Sequence, residues 1–334
     1  MFLCIIVSAI TFLQLMDLVL IVENQAEFTD NIYISLSMII ACYKMYSILL
    51  SQKNIGVLTN ILEDEPFQPK NEEEIEIRRK FDNKAKQQAV LYTLLVESSV
   101  TLYVCVDILK FDDKKLLYRI WLPSELLPSV HIFIYLQQSL SLIVGSIIHV
   151  ACDSLIWGLL IHSCCQLEIL EARLKAIKRD DDQSAKSSAR YHNRVYRYAK
   201  MINQEFKMII FVQFTASTLV VCFSLYIIAT AKDMNDRLLV IAVYESCMLG
   251  QIFFYCWYGN EVKLKSVQLS DVIFGTDWMQ FSRDTKKILS VIMRRATMSI
   301  EFTSVYIVTM NLESFVSLLK TSYSAYNMLQ SSHG

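Results

Sequence analysis

Seven stretches of this chain are long and apolar enough to cross a lipid bilayer, and their order constrains everything else it can become. The first, Phe2 to Val22, carries a single charge, Asp17. The others are Ile32 to Leu50, Ala89 to Leu109, Val130 to about Ile161, Met208 to Ala229, Leu238 to Trp257 and Thr303 to Leu329. Crossing the hydrocarbon core takes about 20 apolar residues at ~1.5 Å rise each. Lipid offers no hydrogen-bond partner, so each segment must pair its own amides, which a helix does. With only 7 glycines and 4 prolines, the chain lacks the turns of a β-barrel and the broken helices of many transporters. The first segment has no basic leader and no small-residue cleavage site, so it reads as a retained span and not as a signal peptide. The expected fold class is an all-α polytopic membrane protein with seven transmembrane helices.

Charge sets the expected orientation. The connections after spans two, four and six hold seven, ten and seven Lys and Arg residues, whereas those after spans one, three and five hold none, four and two. Cationic loops stay in the cytoplasm. The N-terminus is therefore expected inside and the C-terminus outside, the reverse of a rhodopsin-like receptor. Within the basic connections, Leu167, Leu170, Leu174 and Ile177 recur at helical spacing, as do Val195, Tyr198, Ile202 and Phe206. Each set draws one apolar stripe along a helix, so spans four and five are expected to continue beyond the membrane. Asp180 to Ala189 reads as a flexible connector between them. Residues 1–260 then form six spans with their extensions, 261–302 a cytoplasmic segment (an anchor between subunits, on the resemblance given below), and 303–334 the seventh helix with a short extracellular tail.

Enzymatic, metal and nucleic-acid functions find no support. The 5 histidines pair with no carboxylate or second histidine at ligand spacing, and the 9 cysteines, mostly inside apolar segments, form no Cys-x-x-Cys. No cofactor, catalytic residue or metal ligand is expected. A net charge of −1 gives no polyanion-binding surface.

Polar side chains inside the spans carry the functional information, because burial in lipid costs several kcal/mol unless they are paired or wetted. Glu97, Ser98, His149, Glu245, Asn311 and Glu313 are such residues. A cavity for a small, mostly apolar molecule is expected in the outer halves of spans two, three, four and six. Its candidate lining is Tyr33, Ser37, Thr101, Cys105, His131, Tyr135, Gln138, Tyr244 and Met248. Each set repeats every three or four residues and so shares a face of its helix. Interhelical packing accounts for the same residues equally well.

The last third of the sequence resembles the insect odorant receptors. Phe254-Tyr255-Cys256-Trp257-Tyr258-Gly259-Asn260-Glu261-Val262 is similar to the signature at the inner end of their sixth helix. Asn311-Leu312-Glu313-Ser314-Phe315, followed by Leu319-Lys320-Thr321-Ser322-Tyr323-Ser324, is similar to that of their seventh. Ser266, Trp278 and Lys286-Lys287 fit the same pattern, and the similarity is specific over roughly the last 80 residues. The resemblance implies an odorant-binding subunit of a non-selective cation channel in the plasma membrane, assembled as a heterotetramer with an obligate co-receptor. It implies a pore lined by four seventh helices, with a gate near Asn327, Met328 and Ser331. Members of the family carry a few dozen residues ahead of the first span, where this sequence begins within it. They also have a Pro and an Ala-Gly-Lys-like turn before the seventh helix. Here Met298 and Thr303-Ser304-Val305 stand in that region, so a less sharp break is expected.

Two other receptor classes fit less well. The Gln-Phe that follows Thr-Tyr in gustatory receptors is replaced by Ser324-Ala325-Tyr326. A G-protein-coupled receptor needs an extracellular N-terminus, an Asp-Arg-Tyr and an Asn-Pro-x-x-Tyr, and none of these is read here.

Overall fold

The computed structural model describes residues 2–21, 25–109, 116–122, 128–179, 181–230, 236–305 and 308–331. Eight α-helices dominate these residues: α1 (Phe2–Leu20), α2 (Gln25–Ile61), α3 (Glu72–Leu109), α4 (Pro128–Lys175), α5 (Asp182–Thr230), α6 (Asp236–Phe274), α7 (Arg283–Ala296) and α8 (Leu312–Ser331). Helices α2 to α6 are each long and apolar enough to cross a membrane, while the apolar stretch of α1, Cys4–Leu20, is shorter. Helices α1 to α6 and α8 coincide with the seven expected segments, and α7 is an extra helix between the last two. Lys110, Lys114, Lys115 and Lys232, which entered the charge count, and Val22, His333 and Gly334 lie outside the described residues.

The long helices continue past their apolar stretches at the end that carries the basic connections. Leu167, Leu170 and Leu174 of α4 and Ile177 just past its end are all buried, and so are Val195, Tyr198, Ile202 and Phe206 of α5. The partners of these stripes belong to the same chain. Phe67, before α3, inserts between Tyr191 and Tyr198 at ring distances of 5.7 and 5.5 Å. The Arg173 guanidinium sits 4.2 Å over the Tyr191 ring and bonds Glu74 at 2.7 Å. Burial opposes charge on Glu74, yet the bonds from Arg173 and the Lys70 amide hold its carboxyl below the usual range. Burial, with Arg295 nearby, pushes His192 down to about 4, so it is uncharged near neutral pH. Helix α7 packs Leu289, Ile292 and Ala296 inward and is capped by Ser282, whose hydroxyl accepts from the Thr285 amide.

Two expectations about this end are corrected. Asp180 lies outside the described residues, but most of the stretch to Ala189 is the start of α5, with Ala185 and Ser188 buried. The acidic run caps: Asp181 accepts from the Ser184 amide at 3.0 Å, and Asp182 accepts from the Ser282 hydroxyl at 2.6 Å. The seventh membrane helix also begins later than Thr303. Thr303–Ser304 pairs antiparallel with Val308–Thr309, and α8 starts at Leu312 after Asn311, whose side chain accepts from the Ser314 amide at 2.8 Å. A β-branched run favours this hairpin over helix. The break is sharp: Val305 has φ 47°, in the left-handed region that β-branched residues rarely enter.

At the opposite end the connection between α3 and α4 folds back on the bundle. Leu117, Tyr118 and Ile120 are buried in one apolar cluster with Tyr33, Met38 and Met248. Asn31 donates to Asp17 at 3.2 Å, and the Trp121 amide donates to the Leu13 carbonyl at 3.0 Å. These bonds tie α1, α2 and the connection together.

Candidate functional site

Helices α2, α3, α4 and α6 part in the half of the bundle away from the basic end and line a cavity of about 110 Å³. That volume is on the order of the ~150 Å³ engineered apolar cavity that admits benzene. The walls are mostly apolar, with Ile34, Met38, Val96, Val100, Leu142 and Val240 among them. Gly145 of α4 lets the Met38 thioether approach: a Cβ there would lie 3.2 Å from its sulfur.

Of the nine residues expected to line a cavity, the structure brings Tyr33, Ser37, Tyr244 and Met248 together around this one. The Ser37 and Tyr244 hydroxyls meet each other, and the Tyr244 phenol also reaches the Tyr33 carbonyl at 3.3 Å. The other five lie elsewhere. Thr101 and Cys105 are exposed on α3, with the Thr101 hydroxyl bonded to the Glu97 carbonyl at 2.7 Å. Tyr135 donates to Asp107 at 2.9 Å, tying α4 to α3. Gln138 clamps the α3–α4 connection, accepting from the Leu117 amide at 3.1 Å and donating to the Tyr118 carbonyl at 2.7 Å. His131 sits in the first turn of α4, away from the lining. Helix α3 instead presents Tyr92, Val96, Ser99 and Tyr103 to the cavity. Its membrane window is largely apolar, and only 11% of that window is buried in the chain. Hydropathy therefore did not distinguish the cavity face from the lipid face.

Beneath the cavity lies a polar cluster that the sequence reading missed. The Lys44 ammonium of α2 and the Asp153 carboxylate of α4 are 2.6 Å apart, and both side chains are fully buried. Asp153 also accepts from the Tyr255 hydroxyl at 2.6 Å and from the Gln251 amide. Gln213 of α5 donates to Gln251 at 2.7 Å. His149 bridges upward: one ring nitrogen is 3.0 Å from Lys44 and the other 3.2 Å from the Ser37 carbonyl. The cluster joins α2, α4, α5 and α6, and His149 and Gln251 form part of the cavity wall. The signals available in the sequence were a basic residue and an acidic residue in two apolar spans, which lipid tolerates only as a pair, and the four-residue spacing of His149 and Asp153, 3.9 Å apart here, which corrects the expectation that no histidine pairs with a carboxylate.

The two family-like signatures meet across one junction. Gly259 of α6 faces Met310, just ahead of α8, so closely that a Cβ would overlap the Met310 carbonyl oxygen. Phe253 and Phe315 stack edge to face at 5.6 Å, Cys256 is buried beside them, and Ser322 donates to the Thr218 carbonyl at 3.3 Å. Trp257 and Tyr323 are exposed, Glu313 is exposed at the start of α8, and Asn260 and Glu261 are half-buried. Toward the far end of α8, Asn327 and Met328 are exposed, and Ser331 ends the helix.

Membrane-length helices around a mostly apolar cavity define a polytopic α-helical membrane protein. The sequence profile described as "7tm Odorant receptor" matches residues 24–323, and the chain belongs to the odorant receptor family. It is 30% identical to Odorant receptor 46a, isoform A, of Drosophila melanogaster over 59% of this chain and 54% of that one. It is 25% identical to Odorant receptor 10 of Aedes albopictus over the same shares. These matches span about half the length of those relatives. Odorant receptor 2a of Drosophila melanogaster is 23% identical over 97% of this chain and 87% of its own. These relatives are receptors and not enzymes. The fold is that of the insect olfactory receptor OR5 from Machilis hrabei in complex with eugenol, with a TM-score of 0.90 at 17% identity over 99% of this chain and 88% of that one. The structure of OR5 described without eugenol gives 0.88.

Proposed function

We propose that the chain is the odorant-binding subunit of a ligand-gated, non-selective cation channel in the plasma membrane, assembled with an odorant receptor co-receptor as a heterotetramer. The observation that carries this reading is the mostly apolar cavity among α2, α3, α4 and α6, in a fold shared with a receptor solved with eugenol. Tyr33, Ser37, Tyr244 and Met248 form part of its ligand contacts. The basic end faces the cytoplasm and acts as the anchor between subunits, consistent with the exposed Leu264, Phe274 and Met298 there. Four copies of α8 line the pore, with the gate at Asn327, Met328 and Ser331. Met328 is 75% exposed within the single chain, which suits a side chain that meets its counterparts across a central axis and closes the path by excluding water.

Gating follows from differential affinity. A ligand opens the channel only as far as it binds the open state more tightly than the closed one. Moving a pore from 1:99 to 99:1 takes about 10⁴-fold, or about 5.5 kcal/mol. Expressed with the co-receptor, the chain is expected to give odorant-evoked cation currents in whole-cell recording. Expressed alone, it is expected to give almost none. A tag at Gly334 is expected to be reached by antibody on unpermeabilised cells. Equal currents without the co-receptor, or a tag reached only after permeabilisation, would overturn the assignment.

A further inference from the structure

Most hydrogen-bonding groups in the cavity wall are already used by the protein. Ser37 and Tyr244 bond each other, and Tyr103 donates to the Leu117 carbonyl at 2.9 Å. Ser146 donates to Glu97 at 2.9 Å. His149 and Gln251 are held by the Lys44–Asp153 cluster. Tyr92 of α3 differs. Its ring is wedged edge to face against Trp157 at 4.8 Å and Phe254 at 6.3 Å, and only 3% of the residue is exposed. Tyr92 lines the cavity, and its hydroxyl makes no hydrogen bond to any described residue. The aromatic neighbours fix the ring and therefore fix where that hydroxyl points.

We infer that the Tyr92 hydroxyl is the specificity-determining hydrogen-bond donor of the cavity, and that the ligands it selects are small neutral molecules carrying a carbonyl, ester or ether oxygen on an apolar body of about one ring. The inference rests on the cavity being the ligand site. A buried donor left unpaired pays its full desolvation penalty, and a ligand that supplies an acceptor removes it. A ligand of the same shape without that oxygen fills the same space and leaves the phenol unsatisfied. Charged ligands are excluded, because the nearby ammonium and carboxylate already neutralise each other. The size limit follows from the cavity volume of about 110 Å³.

The test is a set of shape-matched pairs applied to the chain co-expressed with the co-receptor: benzaldehyde with styrene, acetophenone with α-methylstyrene, and cyclohexanone with methylenecyclohexane. Each pair exchanges C=O for C=CH₂. In the wild type the carbonyl member of each active pair is expected to activate at about tenfold lower concentration (~1.4 kcal/mol). Tyr92→Phe keeps the ring contacts and is expected to bring that ratio to within twofold while leaving the hydrocarbon response in place. A wild-type ratio near one, or a tenfold ratio that persists in Tyr92→Phe, would overturn the inference. If Tyr92→Phe fails to reach the surface, the same ratio is read from the thermal shifts that each pair gives the purified variant and wild type. Failure of the underlying cavity reading looks different. In that case all six compounds evoke nothing from surface-expressed wild type and none raises the melting temperature of the purified protein, which would overturn both.

Discussion

Asp153→Ala is expected to leave the protein largely trapped inside the cell, with surface biotinylation reduced to a small fraction of wild type. The substitution strands the Lys44 ammonium, which is fully buried and has Asp153 2.6 Å away as its counter-charge. Removing one partner of a buried ion pair costs about 3–5 kcal/mol, because the remaining charge is left uncompensated. Stability is about 5–15 kcal/mol for a folded protein, so that loss is a large share of the total. Tyr255 and Gln251 lose their shared acceptor at the same time. Replacing both charges together is a different experiment. Lys44→Met with Asp153→Leu removes the desolvation penalty along with the attraction, and such exchanges are often neutral. The double variant is expected to recover much of the surface signal that either single change loses. Single variants delivered like wild type would show that the pair is dispensable.

Gly259→Ala is expected to silence the channel more completely than it lowers surface expression. An added Cβ would collide with the Met310 carbonyl oxygen and lie 2.6 Å from the Met310 Cβ. The obstacle is backbone, so α6 and the start of α8 must separate. Overpacking of this kind costs about 1–3 kcal/mol, which exceeds the ~1 kcal/mol that alanine gains over glycine within a helix. The displaced segment is held by the Met310 amide bonded to the Phe302 carbonyl at 2.8 Å and leads directly into α8. Gly158→Ala and Gly250→Ala serve as controls, since nothing lies within 4 Å of either added Cβ. Both are expected to be neutral or slightly stabilising. Current per surface receptor separates the three variants, and wild-type currents from Gly259→Ala would show that α6 and α8 tolerate the separation.

The sequence made the parts governed by hydropathy period and charge legible. The spans follow from the length of apolar runs. The stripes of α4 and α5 beyond the membrane follow from three- and four-residue spacing, and all eight of their residues are buried. Cavity geometry was only half legible. On α2 and α6 the polar residues happen to share the buried face, so Tyr33, Ser37, Tyr244 and Met248 were found. On α3 lipid and cavity accept the same side chains, so Thr101 and Cys105 were preferred to Tyr92, Ser99 and Tyr103. Tyr135 and Gln138 have the composition of a ligand wall, but their hydroxyl and amide are consumed by Asp107 and by the Leu117–Tyr118 backbone. The Lys44–Asp153 pair escaped notice because its partners are 109 residues apart, and only the packing of α2 on α4 brings them together. The start of α8 was misplaced because Thr303 to Thr309 is apolar enough to extend a span, while its β-branched residues and the Asn311 cap favour a hairpin and a later start.

The central claim is that odorants act from the cavity between α2, α3, α4 and α6, and agonist ranking in two single variants tests it most directly. Potencies for a common odorant panel are to be measured on the co-expressed channel carrying Met248→Ala, which enlarges the cavity, or Thr101→Val, which alters only the exposed face of α3. The expected result is a reordered panel for Met248→Ala, with larger members gaining about tenfold over smaller ones, and an unchanged order for Thr101→Val. An unchanged order for Met248→Ala together with a reordered panel for Thr101→Val would place the ligand on the outside of the bundle and contradict the account.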